Sequence, residues 1–201
     1  MENVFIHPTA EVDKSAHIGE NTKIWHGAQI REGAIIGKNC IIGKNAYIDK
    51  YVVIRDNVKI QNNSSIYSGT KLESGVFIGP HTVIINDKIP RAITPDGHLK
   101  TEHDWNAGRV LIREGASVGA HCTILTNVTI GKFALVGAGA VVSTNVEAYS
   151  LVVGTPNHFV NYICKCGYKL TGRNTCAICG TNLKLVLHEI FAQQDTDIIT
   201  P

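Results

Sequence analysis

Aliphatic side chains recur at every sixth position through the first half of the chain. The series runs through fourteen positions without a gap, and a small or β-branched residue stands four places after thirteen of them. This period fits neither a helix nor an open sheet. It predicts an all-β fold, a parallel β-helix of hexapeptide units in which both positions point inward and three hexads make one coil. The aliphatic positions are Ile6, Val12, Ile18, Ile24, Ile30, Ile36, Ile42, Ile48, Ile54, Ile60, Ile66, Leu72, Ile78 and Ile84.

The repeat is interrupted once, from about Asn86 to Arg109, and then resumes. The interruption holds two prolines, an Asp-Gly pair, two histidines and a tryptophan, so it predicts a polar loop excursion rather than a coil. A long excursion from a regular solenoid is typical of a loop that shapes a site, and a tolerated insertion is the alternative. Six more hexads follow, at Ile112, Val118, Ile124, Ile130, Val136 and Val142. The twenty hexads predict between six and seven coils within residues 1–156. After Val146 the pattern degrades, so Tyr149 to Pro156 is interpreted as a strand that leaves the coils.

A different unit is expected at 157–201. Two thiol pairs, CKCG at 164–167 and CAICG at 176–180, each end on a glycine where the chain must turn sharply. This spacing predicts a zinc-ribbon-like extension that holds one structural zinc ion. Four unligated reduced thiols are the alternative, because the first pair is C-x-C rather than C-x-x-C. The predicted metal ligands are Cys164, Cys166, Cys176 and Cys179.

Charge and composition exclude some partners. Nineteen Lys and Arg against seventeen Asp and Glu leave a net charge of +2, too small for a protein that binds nucleic acid through its phosphates. The sequence shows no apolar run of membrane-spanning length and no signal-peptide pattern at its start. With cysteines spaced for metal rather than for disulfides, we expect a cytoplasmic protein. Cys40 and Cys122 fall in the small inward slot and are expected in the core.

Six motifs follow one another along the chain. They are KIWH at 23–26, VKIQNN at 58–63, VFIGP at 76–80, Asn86-Asp87 with Pro90-Arg91, GASVGA at 115–120 and VGAGAVV at 136–142. In this order they resemble bacterial nucleotide-sugar N-acetyltransferases, above all the UDP-2-acetamido-3-amino-2,3-dideoxyglucuronate N-acetyltransferase family. The similarity spans nearly the whole chain, including the cysteine-bearing extension. A sister group that acts on dTDP-3-amino-3,6-dideoxyhexoses shares the loop features, so the nucleotide stays open between UDP and dTDP.

The resemblance implies a left-handed β-helix and a homotrimer with sites between subunits. It also implies acetyl transfer from acetyl-CoA to the amine, at C3, of a nucleotide-linked sugar used for cell-surface polysaccharide. Asn86 matches the family residue that accepts a hydrogen bond from this amine and orients it. The departing thiolate, whose thiol has a pKa of about 8.5, can take the surplus proton, so a base is optional. Asp87 and His103 are the candidates if a base exists.

Stacking of residues eighteen apart extends this site. Asn86 is expected above Ser68, Lys50 and Glu32, with Tyr67, Asp49 and Arg31 in a second column beside them. Arg31 would lie about three coils, roughly 14 Å, from the reacting amine and would bind the phosphates or the base. The predicted substrate-binding residues are Arg31, Tyr67, Asp87 and Arg91.

For CoA, small residues in the C-terminal coils would let the pantetheine amides reach the backbone. Asn157-His158 stand where the family has alanine followed by a basic residue, so Lys132 or Lys165 is expected to contact the CoA phosphates instead. The predicted cofactor-binding residues are Gly137, Ala138, Ala140 and Lys132.

Two other classes of function stay open. A γ-carbonic-anhydrase-like hydratase needs three histidines on one metal. His81 and His121 share a register, but Ser117 and Cys122 stand where the third ligand would be expected. A non-catalytic β-helix scaffold would leave the loop unexplained. The histidines 81, 98, 103 and 121 are therefore interpreted as structural or solvent-facing.

Overall fold

The structure is a computed structural model that describes residues 3–170, 175–182 and 186. The described residues form twenty-two short strands in three sheets. The first sheet contains β1 (Phe5–Ile6), β4 (Lys23–Ile24), β7 (Ile41–Ile42), β10 (Lys59–Ile60), β13 (Phe77–Ile78), β16 (Ser117–Val118), β19 (Leu135–Val136), β21 (Ser150–Val153) and β22 (His158–Tyr162). The second contains β2 (Glu11–Val12), β5 (Gln29–Ile30), β8 (Tyr47–Ile48), β11 (Ser65–Ile66), β14 (Val83–Ile84), β17 (Thr123–Ile124) and β20 (Val141–Val142). The third contains β3 (His17–Ile18), β6 (Ile35–Ile36), β9 (Val53–Ile54), β12 (Thr70–Leu72), β15 (Val110–Ile112) and β18 (Val128–Ile130).

Strand register confirms the predicted β-helix. Ile42 pairs in parallel with Ile24 on one side and Ile60 on the other, so successive strands of a sheet lie eighteen residues apart. The same alignment continues across the excursion, where Ile78 pairs with Val118. Each coil therefore contributes one strand to each of the three sheets. None of the helices found among the described residues has the length and apolar character to cross a membrane.

The core fills the inside of the coils. The aliphatic residue of each hexad from Ile24 onward is at most 4% exposed, and the small residues four places later are buried beside it. Burial of each large side chain contributes on the order of 1.5–3 kcal/mol. Polar residues in the small slot are satisfied, as where Ser64 Oγ donates to the carbonyl of Gly79 at 2.8 Å. Cys40 and Cys122 are buried in this core as predicted.

Close stacking of the coils explains the glycine that often follows the aliphatic residue. At Gly79, an added Cβ would lie 2.5 Å from the carbonyl carbon of Gly119 in the next coil. Gly119 in turn faces the backbone of Ala138 at the same distance. These glycines allow backbones to approach, which side chains would prevent.

The end of the β-helix differs from the prediction. Tyr149 to Pro156 was expected to leave the coils, but β21 adds an eighth parallel strand to the first sheet by pairing with β19, and β22 returns antiparallel to it. Leu151 and Val152 keep the outward and inward alternation of a hexad. The preceding corner is shorter, since Val136 pairs with Val152 sixteen residues later. The sheet therefore continues past residue 156, into the segment expected to be a separate unit.

Candidate active site

The excursion folds back over one corner of the β-helix and encloses a cleft there. The cleft has a volume of about 410 Å³ and lies where the second sheet turns toward the third. The coils supply one wall and the loop supplies the other. The lining residues are Asp49, Lys50, Tyr67, Ser68 and Asn86 from the coils and Glu102, Trp105 and Ala107 from the loop.

Asn86 stands at the base of the loop, two residues after β14. Its Nδ2 donates to Ser68 Oγ at 2.8 Å, one coil below, as the eighteen-residue stacking predicts. Its backbone carbonyl accepts the N–H of Gly108 at 2.8 Å, which ties the two ends of the excursion together. With the amide nitrogen directed to Ser68, the amide oxygen is the atom that Asn86 can offer to a ligand in the cleft.

A hydrogen-bonded network supports Ser68 from below. The Asp49 carboxylate is 8% exposed and accepts the backbone N–H groups of Ser68 at 3.0 Å and Lys50 at 2.8 Å. It also accepts the Tyr47 hydroxyl at 2.9 Å. Burial, followed by this hydrogen bond to Asp49, raises the pKa of Tyr47. Buried Asp49 thus fixes the backbone on which the Ser68–Asn86 contact rests.

Arg31 joins the same network at its lower end. Its Nη1 donates to Tyr47 Oη at 3.2 Å, and its Nε lies 2.8 Å from the Glu32 carboxylate. The hydrogen bonds to Glu32 and then Tyr47 raise the pKa of Arg31. A continuous chain of polar contacts therefore links Arg31 to Asn86 through Tyr47, Asp49 and Ser68.

An ion pair holds the loop against the coils. Lys50 Nζ contacts the Glu102 carboxylate across the cleft. The pair raises the pKa of Lys50 and lowers that of Glu102, because each charge stabilises the other. Half-buried Trp105 lies on the same side of the cleft as Glu102.

The structure brings only some of the predicted substrate residues to the cleft. Tyr67 lines it, and its ring lies 5.5 Å from that of Tyr47. Asp87 Oδ1 accepts the N–H of Ile89 at 2.8 Å and so closes the first turn of the loop. Arg91 is exposed and donates to the carbonyl of Pro90. The contacts of Asp87 and Arg91 are therefore local ones within the loop.

The sequence named some cleft residues without assigning them a role. Asp49, Lys50 and Ser68 followed from the eighteen-residue stacking, but their part in the hydrogen-bonded network did not. Glu102, Trp105 and Ala107 lie in a loop with no repeat, so no periodic signal predicts which of them face the coils.

The histidines lie outside the lining of this cleft. His103 is exposed and its backbone N–H donates to Thr101 Oγ1. The rings of His81 and His121 stack in parallel, 4.8 Å apart. Among the described residues, the only group of three or more converging metal-ligand side chains is made of cysteines, so this part of the chain holds no three-histidine site.

The residues predicted to bind the cofactor lie in the last coils. Ala140 is completely buried, and its backbone N–H and C=O bond to Gly137 and Thr123. The N–H of Gly137 donates to Val152. Ala138 is exposed, so it is the small residue of this group that presents surface to a ligand. Lys132 Nζ lies 3.4 Å from the Glu114 carboxylate.

The four cysteines of the C-terminal extension converge as their spacing predicts. Their Sγ atoms all lie within 4.8 Å of one another. Two of them, Cys164 and Cys176, are buried together against Leu170.

Comparison with protein families matches the coils to a known repeat. The bacterial transferase hexapeptide (six repeats) model matches residues 15–50 and 51–86, and the hexapeptide repeat of succinyl-transferase matches residues 33–68. Residues 15–86 are hexapeptide repeats of the bacterial transferase type. The excursion that completes the cleft begins directly after this hexapeptide-repeat segment.

Two relatives of known activity match parts of the chain. One is dTDP-3-amino-3,6-dideoxy-alpha-D-galactopyranose 3-N-acetyltransferase of Aneurinibacillus thermoaerophilus, 39% identical over 72 residues that cover 36% of this chain and 38% of that protein. The other is serine acetyltransferase of Haemophilus influenzae, 35% identical over 88 residues that cover 43% of this chain and 32% of that enzyme. The chain thus spans less than two fifths of the length of these relatives. The resemblance to a sugar N-acetyltransferase is confirmed over the 72 matched residues.

Solved structures show the same fold. The acetyltransferase domain of PglB from Neisseria gonorrhoeae, in complex with acetyl coenzyme A, aligns with a TM-score of 0.52 and 20% identity over 78% of this chain and 57% of that one. A mutant of perosamine N-acetyltransferase from Caulobacter crescentus, in complex with CoA and GDP-perosamine, aligns with a TM-score of 0.50 and 24% identity over 79% and 57% of the two chains. Both likenesses establish the hexapeptide-repeat β-helix.

Proposed function

We propose that this protein transfers the acetyl group of acetyl-CoA to the C3 amine of a UDP- or dTDP-linked amino sugar used for cell-surface polysaccharide. The observation that carries the proposal is the Asn86 amide, oriented by Ser68 in a cleft that the excursion closes. The similarity to the dTDP-amino-sugar 3-N-acetyltransferase supports it, and both named relatives are acetyltransferases.

The reaction needs orientation more than it needs a base. The neutral amine attacks the thioester carbonyl while the Asn86 oxygen accepts one of its N–H groups, so that its lone pair points at the carbonyl carbon. The tetrahedral intermediate collapses, the C–S bond breaks and CoA leaves as a thiolate. Because the CoA thiol has a pKa of about 8.5, this thiolate takes the surplus proton from the new amide. Asp87, engaged in its loop turn, and exposed His103 are not needed for this step.

The remaining groups of the substrates are assigned along the same corner. Tyr67 packs beside the sugar, and Arg31, roughly 14 Å below the amine, binds the diphosphate or the base. Asp87 closes the turn that sets the loop beside the sugar, and exposed Arg91 is left without an assigned substrate contact. Gly137 and Ala138 give the pantetheine arm room near the backbone, whereas completely buried Ala140 only packs beneath them, and Lys132 or Lys165 binds a CoA phosphate. Cysteines spaced for a metal rather than for disulfides, together with an acetyl-CoA substrate, support a cytoplasmic reaction.

An acceptor screen tests the proposed function. The purified protein is incubated with acetyl-CoA and a panel of UDP- and dTDP-linked 3-amino sugars, with serine as an additional acceptor, while released thiol is followed. We expect one of the amino sugars to release one thiol for each N-acetyl group formed, and serine to release none above the background. The proposal is contradicted if serine is the only acceptor that releases thiol, or if no acceptor of the panel releases any.

Neither His103 nor His81 is expected to be indispensable. His103→Asn and His81→Asn should each keep kcat/KM within about tenfold of the unmodified protein, since removal of a general base commonly costs a hundredfold or more. Steady-state kinetics with the acceptor found in the screen measure this. A loss above a hundredfold for His103→Asn would assign that residue as the base.

We also propose that the protein is a homotrimer with three equivalent sites. Flat β-helix faces suit cyclic packing, and the excursion lies on the outside of the coils, where it can reach a neighbouring subunit. Light scattering at micromolar concentration should give three times the chain mass. A monomer mass in a sample with full activity would contradict the trimer.

A further inference from the structure

The four-cysteine cluster is not part of the cleft, and its geometry is that of a metal site. Cys164 and Cys179 Sγ lie 3.4 Å apart, and Cys166 and Cys176 Sγ lie 3.6 Å apart. A disulfide would need about 2.05 Å. Zinc with tetrahedral bonds of about 2.3 Å places its sulfur ligands about 3.8 Å apart. The observed separations therefore fit sulfurs arranged around one ion.

The two cysteine pairs are carried by turns of the same design. The backbone N–H of Cys164 donates to the carbonyl of Tyr168 at 2.8 Å, and that of Cys176 donates to Thr181 at 2.9 Å. Antiparallel bridges flank both turns, between Ile163 and Lys169 and between Thr175 and Asn182. The C-x-C pair thus forms a turn equivalent to that of the C-x-x-C pair. Its unusual spacing therefore does not prevent it from supplying two of the four metal ligands.

Glycine closes each of these turns. Gly167 has a φ of 87° and Gly180 a φ of 70°, in the left-handed region that side chains disfavour. An added Cβ would meet no neighbour at either position, so the backbone conformation alone requires glycine.

A hydroxyl group and a cation lie near the sulfurs. Thr181 Oγ1 lies 3.1 Å from Cys179 Sγ, and Lys165 stands between Cys164 and Cys166 in the sequence. Four thiolates around a divalent ion leave a net charge of −2, which a hydrogen-bond donor and a cation of this kind stabilise.

We propose that Cys164, Cys166, Cys176 and Cys179 bind one Zn²⁺ in a closed tetrathiolate site that fastens the C-terminal extension to the last coil. Binding replaces the four S–H protons, which are released to solvent, and no electron is transferred. The four sulfurs fill the tetrahedral positions of zinc, so the site is structural and takes no substrate.

The site is joined to the β-helix through a small apolar cluster. Leu170 packs both against buried Cys164 and Cys176 and against the cluster formed by Ala148, Tyr149 and Val186. Tyr149 is completely buried and stacks on Phe133 at 5.4 Å. Lys165 Nζ lies 5.2 Å from the centroid of the Phe133 ring. The metal therefore anchors the extension on this corner, while the main core of the coils remains a separate cluster.

Metal content of the full chain, purified without chelator, tests the site. We expect about one zinc per chain by elemental analysis, and less than a tenth of that in Cys176→Ser and Cys179→Ser. Cys40→Ala is the matched control, because it removes a buried cysteine from a slot that alanine fills in the neighbouring hexads, at Ala34 and Ala46, and it should retain the zinc. In the unmodified protein, titration with an organomercurial should release zinc as four thiols react. This experiment does not depend on whether the serine variants fold.

Hydrogen exchange tests whether zinc holds the C-terminal extension in place without being needed for the fold of the coils. After zinc is removed under reducing conditions, amides of 163–170 and 175–182 should exchange at least tenfold faster, while those of the coils from residue 24 to 84 stay unchanged. Cobalt added to the stripped protein should give the charge-transfer absorption of tetrahedral thiolate ligands. Zinc near zero in the unmodified protein, iron in its place, or zinc retained by both serine variants would overturn the proposal.

Discussion

Asn86→Ala is expected to lower kcat/KM for the amino-sugar acceptor by about a hundredfold, equivalent to about 2.7 kcal/mol of transition-state stabilisation. The amide oxygen of Asn86 fixes the direction of the amine lone pair, and alanine leaves the amine free to rotate. The loss should fall mainly on kcat, and the affinity for CoA, which binds through other groups, should hardly change. Initial-rate kinetics and calorimetric titration with CoA measure the two effects.

Asn106→Ala is the matched control for this variant. Asn106 is an exposed asparagine of the same loop that does not itself line the cleft, although its neighbours Trp105 and Ala107 do. Its replacement should leave kcat/KM within about twofold of the unmodified protein, as is usual for surface substitutions. If Asn86→Ala were nearly silent while His103→Asn abolished turnover, the mechanism without a base would be wrong.

Ile36→Ala is expected to cost about 2–5 kcal/mol of the free energy of unfolding. Ile36 is 2% exposed and lies in the stack between Ile18 and Ile54, so alanine leaves a cavity that rigid neighbouring coils fill only in part. The denaturant midpoint of β-sheet circular dichroism should fall accordingly. At low temperature kcat should persist, because Ser68 and Asn86 lie two and three coils beyond Ile36. KM is the more sensitive value, because Arg31 lies at the corner just before Ile36.

Ile35→Ala provides the control within the same strand. Ile35 points outward and is 46% exposed, so its truncation should cost less than about 1 kcal/mol. Equal losses for Ile35→Ala and Ile36→Ala would contradict the assignment of inward and outward positions on which the hexapeptide register depends.

The repeat made most of the fold predictable from sequence. Inward positions such as Ile24 and Ile78 recur at a period that only coils of three hexads satisfy, and the structure pairs them as that period requires. The last coil was misread because it is two residues shorter. Val146 pairs with Ile130 and Val152 with Val136, each sixteen rather than eighteen residues earlier. A search for aliphatic residues at a fixed spacing of six misses this coil, although the outward and inward alternation of Leu151 and Val152 still indicates a strand of the β-helix.

The site was predictable where it lies on the coils and not where it lies on the loop. Stacking placed Ser68 and Lys50 beneath Asn86, and the structure shows the Asn86–Ser68 contact. The pairing of Lys50 with Glu102 depends on how an irregular segment folds back, which no repeat encodes. Convergence of the four cysteines followed from spacing, whereas the Leu170 contact that joins them to Tyr149 depends on tertiary packing.

The hydrogen bond between the Asn86 carbonyl and the Gly108 N–H closes the excursion at its base. The loop leaves and returns at one point of the corner, and Ile84 on one side of it pairs with Ile124 in the next coil. A segment of another length, closed by the same hydrogen bond, can therefore replace residues 87–107 without shifting that pairing. Under the proposed function, such an exchange alters acceptor preference while Asn86 keeps its position.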